Sequence, residues 1–105
     1  MNPQFKKGIL ELCVLTLVSR RDSYGYELVE EISKKFEISE GTIYPILRRL
    51  TDESLFETYL QESTSGPPRK YYRITTKGRV AQERGLSEWK EFDNQVKSLL
   101  NGVSE

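Results

Sequence analysis

Six cations crowd one short stretch of the chain. Arg69, Lys70, Arg73, Lys77, Arg79 and Arg84 stand between residues 66 and 84 against Glu83 alone. Guanidinium and ammonium groups at that density suit an array of phosphates. A second basic pair, Arg48 and Arg49, follows Thr42 and Tyr44, whose hydroxyls can both donate and accept hydrogen bonds. Charge runs are also what an ordinary solvated surface carries. The cations gain a function only if the elements around them face one partner.

Other chemistry is poorly provided for. The chain has no His, which removes Ser-His and Cys-His catalysis and most zinc sites. Cys13 is the single cysteine, so no intrachain disulfide can form. It sits in an apolar run and reads as a small core hydrophobe rather than a reactive thiol. No apolar run reaches the ~18 residues of a membrane span. The amino-terminal segment could imitate a signal peptide, but Arg20-Arg21-Asp22 stands where a small-residue cleavage site would lie. We expect a soluble, cytoplasmic protein that is not an enzyme and needs neither cofactor nor metal.

The elements that position the cations can be read from spacing. One hundred and five residues with 36% hydrophobic content make one domain with a lean core, and a partner subunit would supplement it. Net charge is zero, yet it is unevenly distributed: residues 22–40 carry six acids and two lysines. Residues 9–18 are almost wholly apolar, which allows a helix or a buried strand; the leucines favour helix. Asp22 and Ser23 offer N-cap oxygens for a second helix carrying Leu28, Val29, Ile32 and Phe36 and ending near Phe36. Gly25 near its start suggests close packing of another helix.

Ser39 is a cap candidate for a third helix, with Ile43, Ile46, Leu47 and Leu50 at i, i+3, i+4, i+7. Thr42, Tyr44, Arg48 and Arg49 occupy the opposite face. Pro45 costs nothing if the helix is capped at Gly41 or Thr42, and should bend it if the helix starts at Glu40. Residues 55–61 and 70–75 read as two strands around a Gly- and Pro-containing loop at 62–68. Thr75 or Thr76 caps a last helix. Along it Gly85, Trp89, Phe92, Val96, Leu99 and Val103 recur at 4, 3, 4, 3, 4, a short heptad seam suited to a dimer arm.

Two helices, a turn, a third helix with a polar-basic outer face and a hairpin behind it follow the order of a winged helix-turn-helix. The third helix suits the DNA major groove, and a basic wing suits the neighbouring backbone. The competing reading is a winged helix used for protein contacts, with no DNA site. The expected fold is mainly α with a small β-hairpin. A winged helix-turn-helix would occupy residues 1–78, and one long C-terminal dimerisation helix residues 79–105.

Three motifs in order, YGYEL at 24–28, GTIYPILRRL at 41–50 and RKYYRITTKG at 69–78, resemble the PadR family of bacterial transcriptional regulators over roughly residues 5–80. The resemblance implies a homodimeric repressor on a palindromic operator in double-stranded DNA. It implies recognition-helix positions at Ser39, Gly41, Thr42, Tyr44, Pro45 and Arg48, and wing positions at Pro68, Arg69 and Lys70. This chain departs from the motif in having Ser54 where a Gly turn usually follows the third helix. A left-handed residue there costs Ser more than Gly. The single helix after the wing resembles the short-form branch. Some of its members hold flat aromatic compounds between two subunits, near an aromatic on this helix. Trp89 could form such a slot with Cys13, Leu17, Phe92, Val96 and Leu99. The same residues could equally be plain dimer core.

Overall fold

The computed structural model describes residues 3–102. Four helices and three strands follow in the order α1 (Pro3–Arg20), β1 (Ser23–Tyr24), α2 (Gly25–Ser33), α3 (Glu40–Asp52), β2 (Phe56–Ser63), β3 (Gly66–Ile74) and α4 (Thr76–Leu100). The fold is mainly α with a small antiparallel sheet, in strand order β1-β3-β2. The Leu-rich run at 9–18 is helical. It is apolar around most of its circumference because the core takes one side and α4 takes another.

Leu10, Val14, Val18, Leu28, Ile32, Ile43, Ile46, Leu47, Leu50 and Phe56 are buried together in one core. The α3 stripe is the centre of it: all four of its predicted apolar positions are almost completely covered. Each such side chain contributes roughly 1.5–3 kcal/mol on burial, and this anchors the opposite face of α3 toward solvent.

The structure corrects several boundaries. Ser23 is not a helix cap. It lies in β1, opposite Tyr72 of β3, and the hairpin becomes a three-stranded sheet. The cap position falls on Tyr24, whose backbone N–H donates to the Glu27 carboxylate at 3.1 Å. α2 stops at Ser33, because Lys35 and Phe36 both turn back to donate to the Ile32 carbonyl. The segment 62–68 is mostly strand rather than loop. Ser63 pairs with Gly66, and Pro67 and Pro68 fall at a register irregularity beyond the reach of β1, where a missing N–H is tolerated. α3 starts at Glu40 with Ser39 as its cap residue, so Pro45 lies inside the helix. The Gly41 carbonyl therefore loses its usual partner.

Ser54 has φ 65°, the left-handed turn that the sequence pattern expects of a glycine. The turn is held from outside. The Thr75 hydroxyl donates to the Ser54 carbonyl at 2.7 Å and accepts from the Gly78 N–H at 2.9 Å, capping α4. The Lys77 ammonium donates to the Glu53 carbonyl at 2.9 Å.

α4 lies antiparallel along α1. Ser19 meets Arg79, Thr16 meets Gln82, Leu12 faces Gly85 and Phe5 stacks edge-on against Phe92 at 5.9 Å. The seam positions Gly85 and Phe92 thus already touch α1 of the same chain. The last turn runs past α1, and Leu99 and Leu100 are 85% and 79% exposed. Val103 lies outside the described residues.

Candidate nucleic-acid interface

α3 exposes one face because the other is core. Ser39, Gly41, Tyr44, Pro45 and Arg48 are exposed and Thr42 is half-buried. Tyr44 is 40% exposed, and the rest of its ring lies on Gly25. A Cβ built on Gly25 would come 2.7 Å from the Tyr44 ring. Partial burial, together with Glu40 and the neighbouring Tyr24 and Tyr26, raises the Tyr44 phenol above its usual range.

Arg49 does not belong to this face. Its guanidinium pairs with Glu11 of α1 and Glu53 of its own helix, and its Nε is buried without a partner. Successive helical residues are about 100° apart, so Arg48 faces outward while Arg49 turns toward α1.

The wing separates its cations by strand alternation. Arg69, Tyr71 and Arg73 point to one side of β3; Lys70, Tyr72 and Ile74 point to the other, which packs on the core. Lys70 stands 5.9 Å over the Tyr72 ring. The Tyr72 phenol is raised by burial and by Tyr44, and lowered by Arg48. Lys70 therefore lies on the side of the sheet that packs on the core, the same core that buries the inner face of α3. Arg69 sits on the far side, 4.6 Å over the Tyr24 ring. Pro68 is exposed nearer the tip.

That far side carries a row the sequence reading missed. Tyr59 stacks on Tyr71 at 5.5 Å and 15°, and Tyr71 meets Tyr24 at 5.6 Å. The Tyr59 hydroxyl reaches across β3 to donate to the Asp22 carboxylate at 2.7 Å. Arg73 pairs with Glu57 and lies 4.9 Å over Tyr59. A tyrosine in each strand-forming segment, at 24, 59 and 71, was the available signal.

Several of the six clustered cations thus have structural work. Arg73 is paired, Lys77 caps the end of α3, and Arg79 donates to the Ser19 carbonyl at the end of α1. Of the α1 and α4 residues expected at a dimer or effector site, Cys13, Leu17, Trp89 and Val96 are half-buried, and Phe92 and Leu99 are exposed. Trp89 lies 6.4 Å from Phe92. Burial pushes the Cys13 thiol above its ordinary value, which disfavours the reactive thiolate.

The sequence profile of the Transcriptional regulator PadR-like family matches residues 14–84, from the middle of α1 through the wing to the first turns of α4. The chain belongs to that family. A PadR-like transcriptional regulator of Bacillus cereus is 41% identical, with a TM-score of 0.84 over 97% of this chain and 99% of that one. Smu.1704 of Streptococcus mutans is 32% identical, with a TM-score of 0.87 over 94% and 92%. Among curated proteins, transcriptional regulator Rv3488 of Mycobacterium tuberculosis is 32% identical over 89% of this chain and 87% of its own length. This PadR-like chain spans about half of transcriptional regulator YqjI of Escherichia coli, at 30% identity. The protein is a transcriptional regulator with the winged-helix architecture of its PadR-like neighbours.

Proposed function

We propose that the protein is a homodimeric repressor that binds a palindromic operator in double-stranded DNA. The observation that carries this reading is the exposed outer face of α3 together with the basic wing. Tyr44 and Arg48 are exposed on α3, and Lys70 lies over Tyr72 on the side of the sheet that packs on the core α3 helps to build. A helix with that outer face fits the major groove, and a cation on the wing fits the flanking phosphate. Pro68, nearer the tip, and Arg69, on the other side of the strand, would meet the backbone as the wing lies along it. Ser39, Gly41, Thr42 and Pro45 complete the reading surface. In this reading residues 1–78 bind DNA and residues 79–105 dimerise, although 78 and 79 both lie within α4. A cytoplasmic regulator with no catalytic role follows from it.

The exposed end of α4 supports the dimer. Leu99 and Leu100 continue an apolar seam past the end of α1, and a second copy would cover it. Two Trp89 rings brought together across a two-fold axis would form a slot for a small aromatic effector that releases the operator.

Equilibrium binding to a duplex across a salt series tests the reading. Affinity should fall steeply with salt, and Lys70→Gln should reduce the slope by about one for each bound subunit. Thr42→Ala should act at particular base pairs instead. Binding that is weak and indifferent to both sequence and Lys70 would overturn it.

A further inference from the structure

A cationic element outside the three motifs lies against the reading helix. Lys6, half-buried, and Lys7, exposed, stand in the first two turns of α1. With Leu10 they form one bank of an open groove of about 360 Å³. Its other bank is Gly41, Thr42, Pro45 and Ile46 of α3. Thr42 and Pro45 are positions of the proposed reading face, so any duplex seated on α3 passes over this groove.

The placement of the lysines is unfavourable for the folded chain alone. The first turn of α1 has no acid, and cations near a helix amino terminus oppose its dipole. Among the described residues neither lysine has an ion-pair partner. The nearest acid on α1, Glu11, is taken by Arg49, and the acid in the first turn of α3, Glu40, lies beside Tyr44. An anion outside the chain is what would balance Lys6 and Lys7.

We infer that Lys6 and Lys7 bind the phosphate backbone of DNA next to the segment that α3 reads, as a contact separate from α3 and from the wing. This rests on the DNA-binding reading above. It adds α1 to α3 and the wing as a third element of each subunit on the duplex.

The test uses the full chain and a duplex of mixed sequence, and compares salt dependence of binding for four proteins. These are the unmodified chain, Lys6→Gln/Lys7→Gln, Lys70→Gln, and Lys90→Gln on α4, which lines no part of the groove. Gln keeps helix propensity, and circular dichroism checks the fold. The double variant should lower the slope of log affinity against log salt by about two per bound subunit, with Lys90→Gln unchanged. The free double variant should also melt no lower than the unmodified chain. A double variant with the unmodified slope, while Lys70→Gln shows its loss, would remove α1 from the interface and leave the DNA reading intact. An unmodified chain with no salt-dependent binding would overturn both.

Discussion

The ring of Tyr44 rests on Gly25, with no room for a Cβ between them. The contact joins the start of α2 to the outer face of α3, and it fixes how far Tyr44 can reach. Gly25→Ala should push the ring outward. Overpacking costs about 1–3 kcal/mol, and we expect the low end because the obstructing atoms belong to a side chain that can swing. The larger effect should fall on duplex affinity. Thermal melting and binding measured on the same preparation check the division.

Gly78→Ala should behave differently. Its Cβ would lie 2.1 Å from the Leu55 carbonyl oxygen and 2.7 Å from Ile74. Backbone cannot step aside as a ring can. We expect a loss of at least about 3 kcal/mol, at or beyond the upper end for overpacking, seen as a collapse of the denaturation midpoint. A variant that melts with the parent would show that the first turn of α4 does not pack on the Leu55 backbone.

Ser54→Gly should stabilise. A left-handed conformation costs a non-glycine residue about 1–2 kcal/mol, and glycine's greater freedom in the unfolded chain returns about 0.5–1 kcal/mol of that. The net gain is at most about 1.5 kcal/mol. Since about 1 kcal/mol moves the melting temperature of a domain this size by roughly 4–8 °C, calorimetry resolves it.

Alkaline pH should loosen the sheet. The hydrogen bond from Tyr59 to Asp22 raises the Tyr59 phenol above its ordinary value of 10.0. A raised native pKa contributes stability that is complete below the unfolded value and is lost as pH climbs through the native one. Tyr44 and Tyr72 act in the same direction. Tyr59→Phe should lower stability at neutral pH and make the loss above pH 10 shallower. Melting temperature followed from neutral to alkaline pH reads both effects.

The sequence reading succeeded where one period governed. The i, i+3, i+4, i+7 stripe of α3 specified its buried face and, Arg49 apart, its outer one, and Thr75 was one of two cap residues legible for α4. It failed where a partner lay far along the chain. β1 is two residues long, too short to alternate, and exists because β3 supplies its hydrogen bonds. Arg49 looked equivalent to Arg48 until Glu11, thirty-eight positions away, was brought beside it. The tyrosine row went unread because its members come from three strands. Clustered charge likewise said nothing of which cations would be spent on helix ends.

α1 and α4 advance in step, and from Phe5 to Ser19 the contacts run back from Phe92 to Arg79 without a slip. Such a pair turns as one rod. Glu11 neighbours Leu12 on that rod, and its carboxylate grips Arg49 of α3. A displacement at the exposed end of α4 would therefore reach the reading helix by more than one path: through the α1 side chains buried against the α3 stripe, through the Arg49 ion pair, and through Lys77 at the end of α3.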